Sequence, residues 1–230
     1  MEARGAREGL TEGRWPRTVE EAERVQRELA ERVRIPSGAV PAPKLVAGLD
    51  VSYAKESERL AAVAVVVDTV TRAVIEETVV KGFATFGYYP GLLAFREVPI
   101  LLQALQQLQT APDLLLCDGQ GLAHPRRCGL ACHLGVLTGL AAIGCAKTHF
   151  VGEHAEPGLD RGQRVPLVDS GQTVGEVLRT QDGVKPVYVS PGHAIGLAQA
   201  SDVVLTLCSQ YRVPDPIRRA DHISRRALRG

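Results

Sequence analysis

Residues 45–53 read Leu-Val-Ala-Gly-Leu-Asp-Val-Ser-Tyr, an apolar strand pattern that one acid, Asp50, interrupts. Valine-rich runs follow at 60–68 and 73–81 around a short Asp-Thr-Val-Thr connection, so the three segments predict an antiparallel unit. Beyond them the pattern changes. Tyr88-Tyr89-Pro90-Gly91 marks a turn, and a helix is expected from about Leu92 to Leu108, with a break or restart at Pro99. Asp113 to Cys117 is a short apolar strand ending at Asp118, and residues 119–127 form a Gly/Pro-rich loop. A helix over 128–140 and a strand over 142–146, closed by Lys147, complete an alternation that predicts parallel strands covered by helices.

The expected fold class is α/β, a mixed sheet of three antiparallel strands and then alternating helices and parallel strands, flanked by helices. That is the order of RNase H-like folds. Upstream, Thr18 with Glu21 resembles a capping box, and Ala22, Val25, Leu29 and Val33 mark one helical face that Ile35-Pro36-Ser37-Gly38 ends. Downstream, residues 152–186 are expected as a surface excursion with short strands near 164–168 and 173–178. A last strand covers 187–189, and Pro191-Gly192-His193 opens a helix to about Leu207 with Ser190 as N-cap. The organisation expected is a flexible leader over 1–16, a single catalytic domain over 17–225 and a basic tail over 226–230.

A composition of 45% hydrophobic and 23% charged residues is that of a soluble globular protein with a full core. Five cysteines, without the spacing of a disulfide framework, point to a reducing cytoplasm. The charged, glycine-containing first 17 residues suit neither a signal peptide nor a membrane span, and no membrane partner is expected. The net charge of +1 says little, but residues 212–230 hold six arginines against two aspartates, which suits either a polyanion or a solvated helix face.

An ionised carboxylate inside an apolar strand is costly unless paired, which makes Asp50 a candidate for chemistry. Asp118 ends a strand, where ligands collect in α/β sheets, although a turn-capping role is nearly as good an account. Glu97 begins a helical face, a position where glutamates are commonly solvated. Three such acids suit a hard cation such as magnesium. Lys147 can reach a phosphate or a water in the same cleft, or simply extend into solvent. The loop Asp118-Gly119-Gln120-Gly121-Leu122-Ala123-His124-Pro125-Arg126-Arg127 matches neither a Walker nor a Rossmann pattern, though its arginines suit phosphates. Tyr88 and Tyr89 stand at a loop tip, where rings can fill the gap of a flipped base or pack on the core. Cys128, Cys132 and His133 lack the second ligand pair of a zinc site, and Ser190 with His193 lacks a nucleophile elbow.

Taken in order, Ala47 to Tyr53, Tyr89 to Glu97, Asp118 to Ala131, Ile143 to Lys147, Val189 to His193 and Tyr211 to Arg218 resemble endonuclease V, the deoxyinosine 3′ endonuclease family, from about residue 17 to 225. The resemblance implies an RNase H-like nuclease with magnesium, or manganese in its place. Asp50 and Asp118 would be the principal metal ligands, Glu97 the third acid and Asp221 a fourth member, with Lys147 positioning phosphate or water. Tyr88 would be the wedge, with Tyr89 in the adjoining isoleucine place and Pro90 beside it. The hypoxanthine pocket would form around Gly91, Leu93, Gly119 and Gly121, with His124 close by. Gly87 stands where the family wedge has proline, and Ala194 where many relatives have arginine, which implies a looser wedge and one lost phosphate contact.

The implied reaction is hydrolysis of the second phosphodiester bond 3′ of deoxyinosine, leaving 3′-hydroxyl and 5′-phosphate ends, by a monomer acting on DNA with deaminated bases. Inosine-containing RNA is the alternative substrate. An inosine or nucleic-acid binder without catalysis, and a hydrolase of free nucleotides, are the rival classes.

Overall fold

The computed structural model describes residues 15–229. Helix α1 (Val19–Arg32) starts where expected, with the Glu21 amide donating to Thr18 Oγ1. Strands β1 (Leu45–Tyr53), β2 (Arg59–Asp68) and β3 (Val74–Phe83) form the antiparallel unit, and α2 (Ala94–Gln106), β4 (Leu114–Cys117), α3 (Leu130–Thr138) and β5 (Ala141–Ala146) follow. Then come β6 (Arg164–Asp169), β7 (Gln172–Leu178), β8 (Val187–His193), α4 (Leu197–Thr206) and α5 (Asp215–Ala227). Among the described residues one sheet holds every strand, in the order β3-β2-β1-β4-β5-β8-β7-β6. Among the described residues no helix is long and apolar enough to cross a membrane.

Both faces of the sheet's central strands are buried, and β1 shows how. Its Val46 joins the apolar layer under α4 and α5, whereas Ala47 and Leu49 join the layer under α2 and α3. Successive residues of a strand point to opposite faces, so the even positions 46, 48, 50 and 52 look toward α5 and the odd ones toward α2. Gly48 fixes how closely α5 can approach. A Cβ there would stand 2.5 Å from Pro216 Cβ and 2.6 Å from its carbonyl carbon, which no side chain tolerates. Lacking one, β1 lets α5 lie directly on it.

Four expectations change. Residues 152–186 are no surface excursion throughout, because β6 and β7 extend the sheet beyond β8. Residues 190–193 do not open a helix: β8 continues to His193, antiparallel to β5, and α4 begins at Leu197 after Gly196. A register shift opposite Ala142 and Ile143 accommodates Pro191, since a bulge tolerates a residue that cannot donate to the ladder. Helix α2 runs through Pro99 without a break. Finally, Trp15 and Pro16, assigned to the leader, pack inward, while residues 1–14 lie outside the described residues; at the other end α5 continues to Ala227.

The Pro99 and Trp15 findings are one finding. Proline removes the N–H that would bond the carbonyl four residues earlier, here that of Phe95. The Trp15 indole Nε1 donates to that carbonyl at 3.0 Å, and its ring stacks on His133 and tilts against Phe95. The freed acceptor is thus satisfied from outside the helix. Trp15→Phe keeps the ring and removes the donor. The expected cost is about 1–2 kcal/mol, that of leaving a buried carbonyl unpaired, and it is read as a lower urea midpoint; an unchanged midpoint would show that the indole does not stabilise α2.

Candidate functional site

The sheet register assembles the acids. Leu49 of β1 pairs with Cys117 of β4, so Asp118 begins its loop beside Asp50, and its amide donates to the Leu49 carbonyl at 3.2 Å. Cys117 in turn pairs with Gly144 of β5, which brings Lys147 to the same end. Its ammonium forms an ion pair with Asp118 Oδ2. Asp50 is 7% exposed, on the face of β1 that α5 covers. Ser224 of α5 donates to Asp50 Oδ2 at 2.8 Å, and Ser52 Oγ lies 2.7 Å from the same hydroxyl. Asp221, one turn earlier on α5, holds Arg225 at 2.8 Å. Glu97 comes from α2, on the other side of the sheet, is 6% exposed, and accepts from Tyr53 Oη at 3.0 Å.

Burial raises the Asp50 carboxyl to about 7, opposed by the Ser224 hydrogen bond and reinforced by Asp118 and Asp221. Burial likewise pushes Glu97 up to about 8, opposed by Tyr53 and reinforced by Asp50 and Asp118. Lys147 also shifts upward, which in an amine favours the charged form. Burial disfavours its charge, but Asp118 beside it, with Asp50 and Asp221, holds its pKa above the ordinary value. Four carboxyl groups supplied by two strands and two helices therefore repel one another in a partly desolvated end of the sheet. Their donors are all oxygens, the set that a hard divalent cation prefers. Among the described residues no three His, Cys, Asp or Glu side chains already converge as a coordination shell, so the acids form an electrostatic cluster that is not a finished cage.

A cavity of about 430 Å³ opens beside Asp118 and Lys147. Tyr88, Tyr89, Pro90, Gly91, Leu93, Gly119 and His124 line it. Gly121 does not. A Cβ there would stand 2.2 Å from the Pro191 carbonyl oxygen, and its amide donates to buried Ser190 Oγ at 2.8 Å, so this glycine lets the loop lie on β8. Ser190 is accordingly that amide's acceptor and caps no helix. Tyr88 is 71% exposed at the rim. A Cβ at Gly87 would stand 2.7 Å from the Tyr89 ring, which itself packs edge-on against Phe86. Gly87 and Tyr89 therefore go together: the ring occupies space that a proline at 87 would need. At the second departure, Ala194 adopts φ +50° and donates its amide to Arg34.

One residue unnoticed in the sequence and two arginines read there as suited to phosphate hold this rim. Gln26, buried on α1, donates to the carbonyls of Gly91 at 3.1 Å and Cys128 at 2.6 Å. Arg126 donates to Gln26 Oε1, Glu23 and the Gly91 carbonyl, and Arg127 to Asp169 and the His124 carbonyl. These arginines brace loops and are not turned to phosphate. His124 Nε2 lies 3.0 Å from the Gly91 oxygen, while Nδ1 accepts the Arg126 amide at 3.2 Å. Burial, with Arg126 nearby, lowers its pKa to about 4, which keeps the ring neutral as an Nε2 donor. A polar residue between Ala22 and Leu29 on an apolar helical face was the available signal for Gln26. Ser52, Tyr53, Ser224 and the cavity residues Gln120 and Phe150 gave none. Cys128 and Cys132 pack with Leu29, and neither ring nitrogen of buried His133 has a hydrogen-bond partner.

Comparison with known proteins is consistent along the chain. The family model for endonuclease V matches residues 27–222. The endonuclease V of Streptomyces coelicolor is 50% identical over 216 residues, covering 94% of this chain and 93% of its own. The crystal structure of endonuclease V from Streptomyces avermitilis superposes with a TM-score of 0.89 at 49% identity, covering 94% of this chain and 95% of that one. Endonuclease V from Ciona intestinalis, solved with a 24-residue DNA containing an inosine followed by a ribo-adenosine, has a TM-score of 0.81 at 28% identity and covers 92% and 98%.

The buried acids set a pH dependence. The ordinary glutamate value is 4.5, and Glu97 in the folded chain releases its proton only near 8. Folding therefore loses stability as pH rises through that window, because the unfolded chain ionises first. Glu97→Gln keeps an acceptor for Tyr53 and carries no such penalty. Without divalent cations, the Tm of Glu97→Gln minus that of wild type should grow between about pH 5 and about pH 8; scanning calorimetry that shows a constant difference would contradict the assignment.

Proposed function

The chain belongs to the endonuclease V family, and from that premise we propose that it is a DNA-repair endonuclease cutting the second phosphodiester bond 3′ of deoxyinosine. The products are a 3′-hydroxyl and a 5′-phosphate. Its reaction class, that of a nuclease acting on nucleic acid, follows from the family. The observation that carries the finer reading is the placement of a cavity roomy enough for a base against the carboxylate cluster, with Asp118 and Lys147 belonging to both.

Asp50 and Asp118 would hold a magnesium ion, with Glu97 as the third acid and Asp221 as a fourth nearby; manganese would serve in its place. When bound, such an ion supplies activation of water and charge stabilisation at the phosphate. Ser224 orients the Asp50 carboxylate by its hydrogen bond, and Tyr53 does so for Glu97. Lys147, held charged by Asp118, sits where a phosphate oxygen beside the cavity would be met. The two acids that release protons near neutrality would take up cation more readily as pH rises.

Lesion recognition falls to the cavity. A volume of about 430 Å³ is that of an ordinary small-ligand site and admits a base turned out of the stack. Tyr88, exposed at the rim, would fill the gap the base leaves, and the Tyr89–Phe86 contact would hold the loop at its base. Backbone N–H groups around Gly91, Leu93 and Gly119 would meet the O6 acceptor of hypoxanthine. Adenine offers an amino donor at that position, so its binding would leave donors facing donors. His124 acts at one remove, by fixing the Gly91 carbonyl.

One observation favours a second reading. The substrate strand in the Ciona intestinalis complex carries a ribonucleotide after the inosine, which suits an inosine-specific ribonuclease in that protein. Matched inosine-containing DNA and RNA strands separate the two.

The decisive assay is magnesium-dependent nicking of a duplex with one deoxyinosine. Wild type should nick it, Ser224→Ala should be slower by about 10- to 100-fold, as for loss of a group that orients a metal ligand, and Asp50→Ala slower still. Binding without cleavage by the wild type would overturn the reading.

A further inference from the structure

Helix α5 carries Asp221 and Ser224 toward the acids on one side, and a separate feature on the other. Pro216, Ile217, Ala220 and Ser224 define its buried face. Arg218, His222, Arg226 and Arg229 are exposed and recur every three or four residues, so they form one outward stripe. At its start the Arg218 guanidinium stacks on Tyr211, 3.3 Å from the ring centroid. Both residues line a groove of about 410 Å³ with Arg72, Arg219 and His222.

The arginines of this helix divide into two sets. Arg219 is paired with Glu77 and Arg225 with Asp221. Arg218, Arg226 and Arg229 form no salt bridge with any acid among the described residues. Like charges one turn apart cost helix stability, and among the described residues no acid neutralises these three. From Arg218 to Arg226 the helix rises about 12 Å, close to the axial length of about three to four nucleotides in one strand of a duplex, and Arg229 follows just past the helix end, its amide donating to the Arg226 carbonyl. Asp221 and Arg218 are three residues apart on the helix, so a strand that reaches the acids passes within about 5 Å of the stripe along the helix axis.

We propose that the stripe Arg218–Arg226–Arg229 is a second nucleic-acid contact, holding the phosphate backbone of duplex DNA that flanks the bond being cut. It reads no sequence. Its contribution is electrostatic affinity and orientation, distinct from the cavity and from Lys147. The proposal rests on the nuclease reading for where the lesion lies, but the charge argument needs only a phosphate polymer.

The test measures Kd against KCl concentration for the full chain on a lesion-free duplex of two helical turns, with EDTA present. Each lost phosphate contact lowers the slope of log K against log salt by about 0.9, so R218Q/R226Q/R229Q should be shallower than wild type by about 2.7 and R226Q alone by about 0.9. R218K/R226K/R229K should keep the wild-type slope, because charge and not guanidinium shape is at work. With deoxyinosine duplex at saturation, kcat should stay at the wild-type value in all three. Unchanged slopes for R226Q and the glutamine triple would overturn the proposal, as would a lysine triple as shallow as the glutamine one. A wild type that fails to nick deoxyinosine DNA would instead overturn the nuclease reading, while the salt slopes would still decide the stripe.

Discussion

Strand β1 holds an ionisable carboxylate between Leu49 and Val51, in the middle of a sheet whose central strands are buried on both faces, and most of the site follows from what that acid requires. Desolvation alone drives Asp50 toward its neutral form. The fold supplies partial compensation through Ser224, and it can do so because Gly48 lets α5 lie on β1. Lys147 adds a smaller share. Asp118 and Asp221 are brought in from β4 and α5 against the same group, and Glu97 from α2 is raised by Asp50 and Asp118 in turn. A fold optimised only for stability would not gather acids in this way. The arrangement makes sense if positive charge arrives from outside, and Lys147 supplies only part of it.

Opposite the acids, the rim of the cavity depends on a different kind of bond. The Gly91 carbonyl receives Gln26, His124 and Arg126, so α1, the 118–127 loop and the Tyr88–Gly91 turn meet at one oxygen. Residues that look like phosphate ligands in sequence, Arg126 and Arg127, are consumed in this bracing. The exposed Tyr88 is therefore mounted on an anchored turn, and the Gly87–Tyr89 pairing restores packing that the absence of proline would otherwise remove. Rigid support behind an exposed ring is what insertion into a stack demands.

Period-two patterning and strand-ending residues made β1 to β5 and two of the acids, Asp50 and Asp118, legible, because those signals are local. The failures were contacts between distant segments. Pro191 reads as a turn until the bulge opposite Ala142 is known. Pro99 reads as a break until the Trp15 indole is found on the Phe95 carbonyl, 80 positions away. Gly121 carries the same sequence signal as Gly119, and only the approach of Pro191 separates a packing glycine from one that faces the cavity. Asp221 had no local signature at all and entered through family resemblance; its place on α5, one turn from the serine that bonds Asp50, gives that assignment a geometric basis.

The central claim is that buried, mutually repelling carboxylates at Asp50 and Glu97 are held for a divalent cation. Calorimetric titration with manganese, run near neutral pH in two buffers of different ionisation enthalpy, tests it without any substrate. Acids that titrate at about 7 and about 8 must give up protons as the ion binds. The account predicts proton release on binding that disappears in Asp50→Asn/Glu97→Gln. Binding with no proton release, or binding undiminished in that double variant, would contradict it.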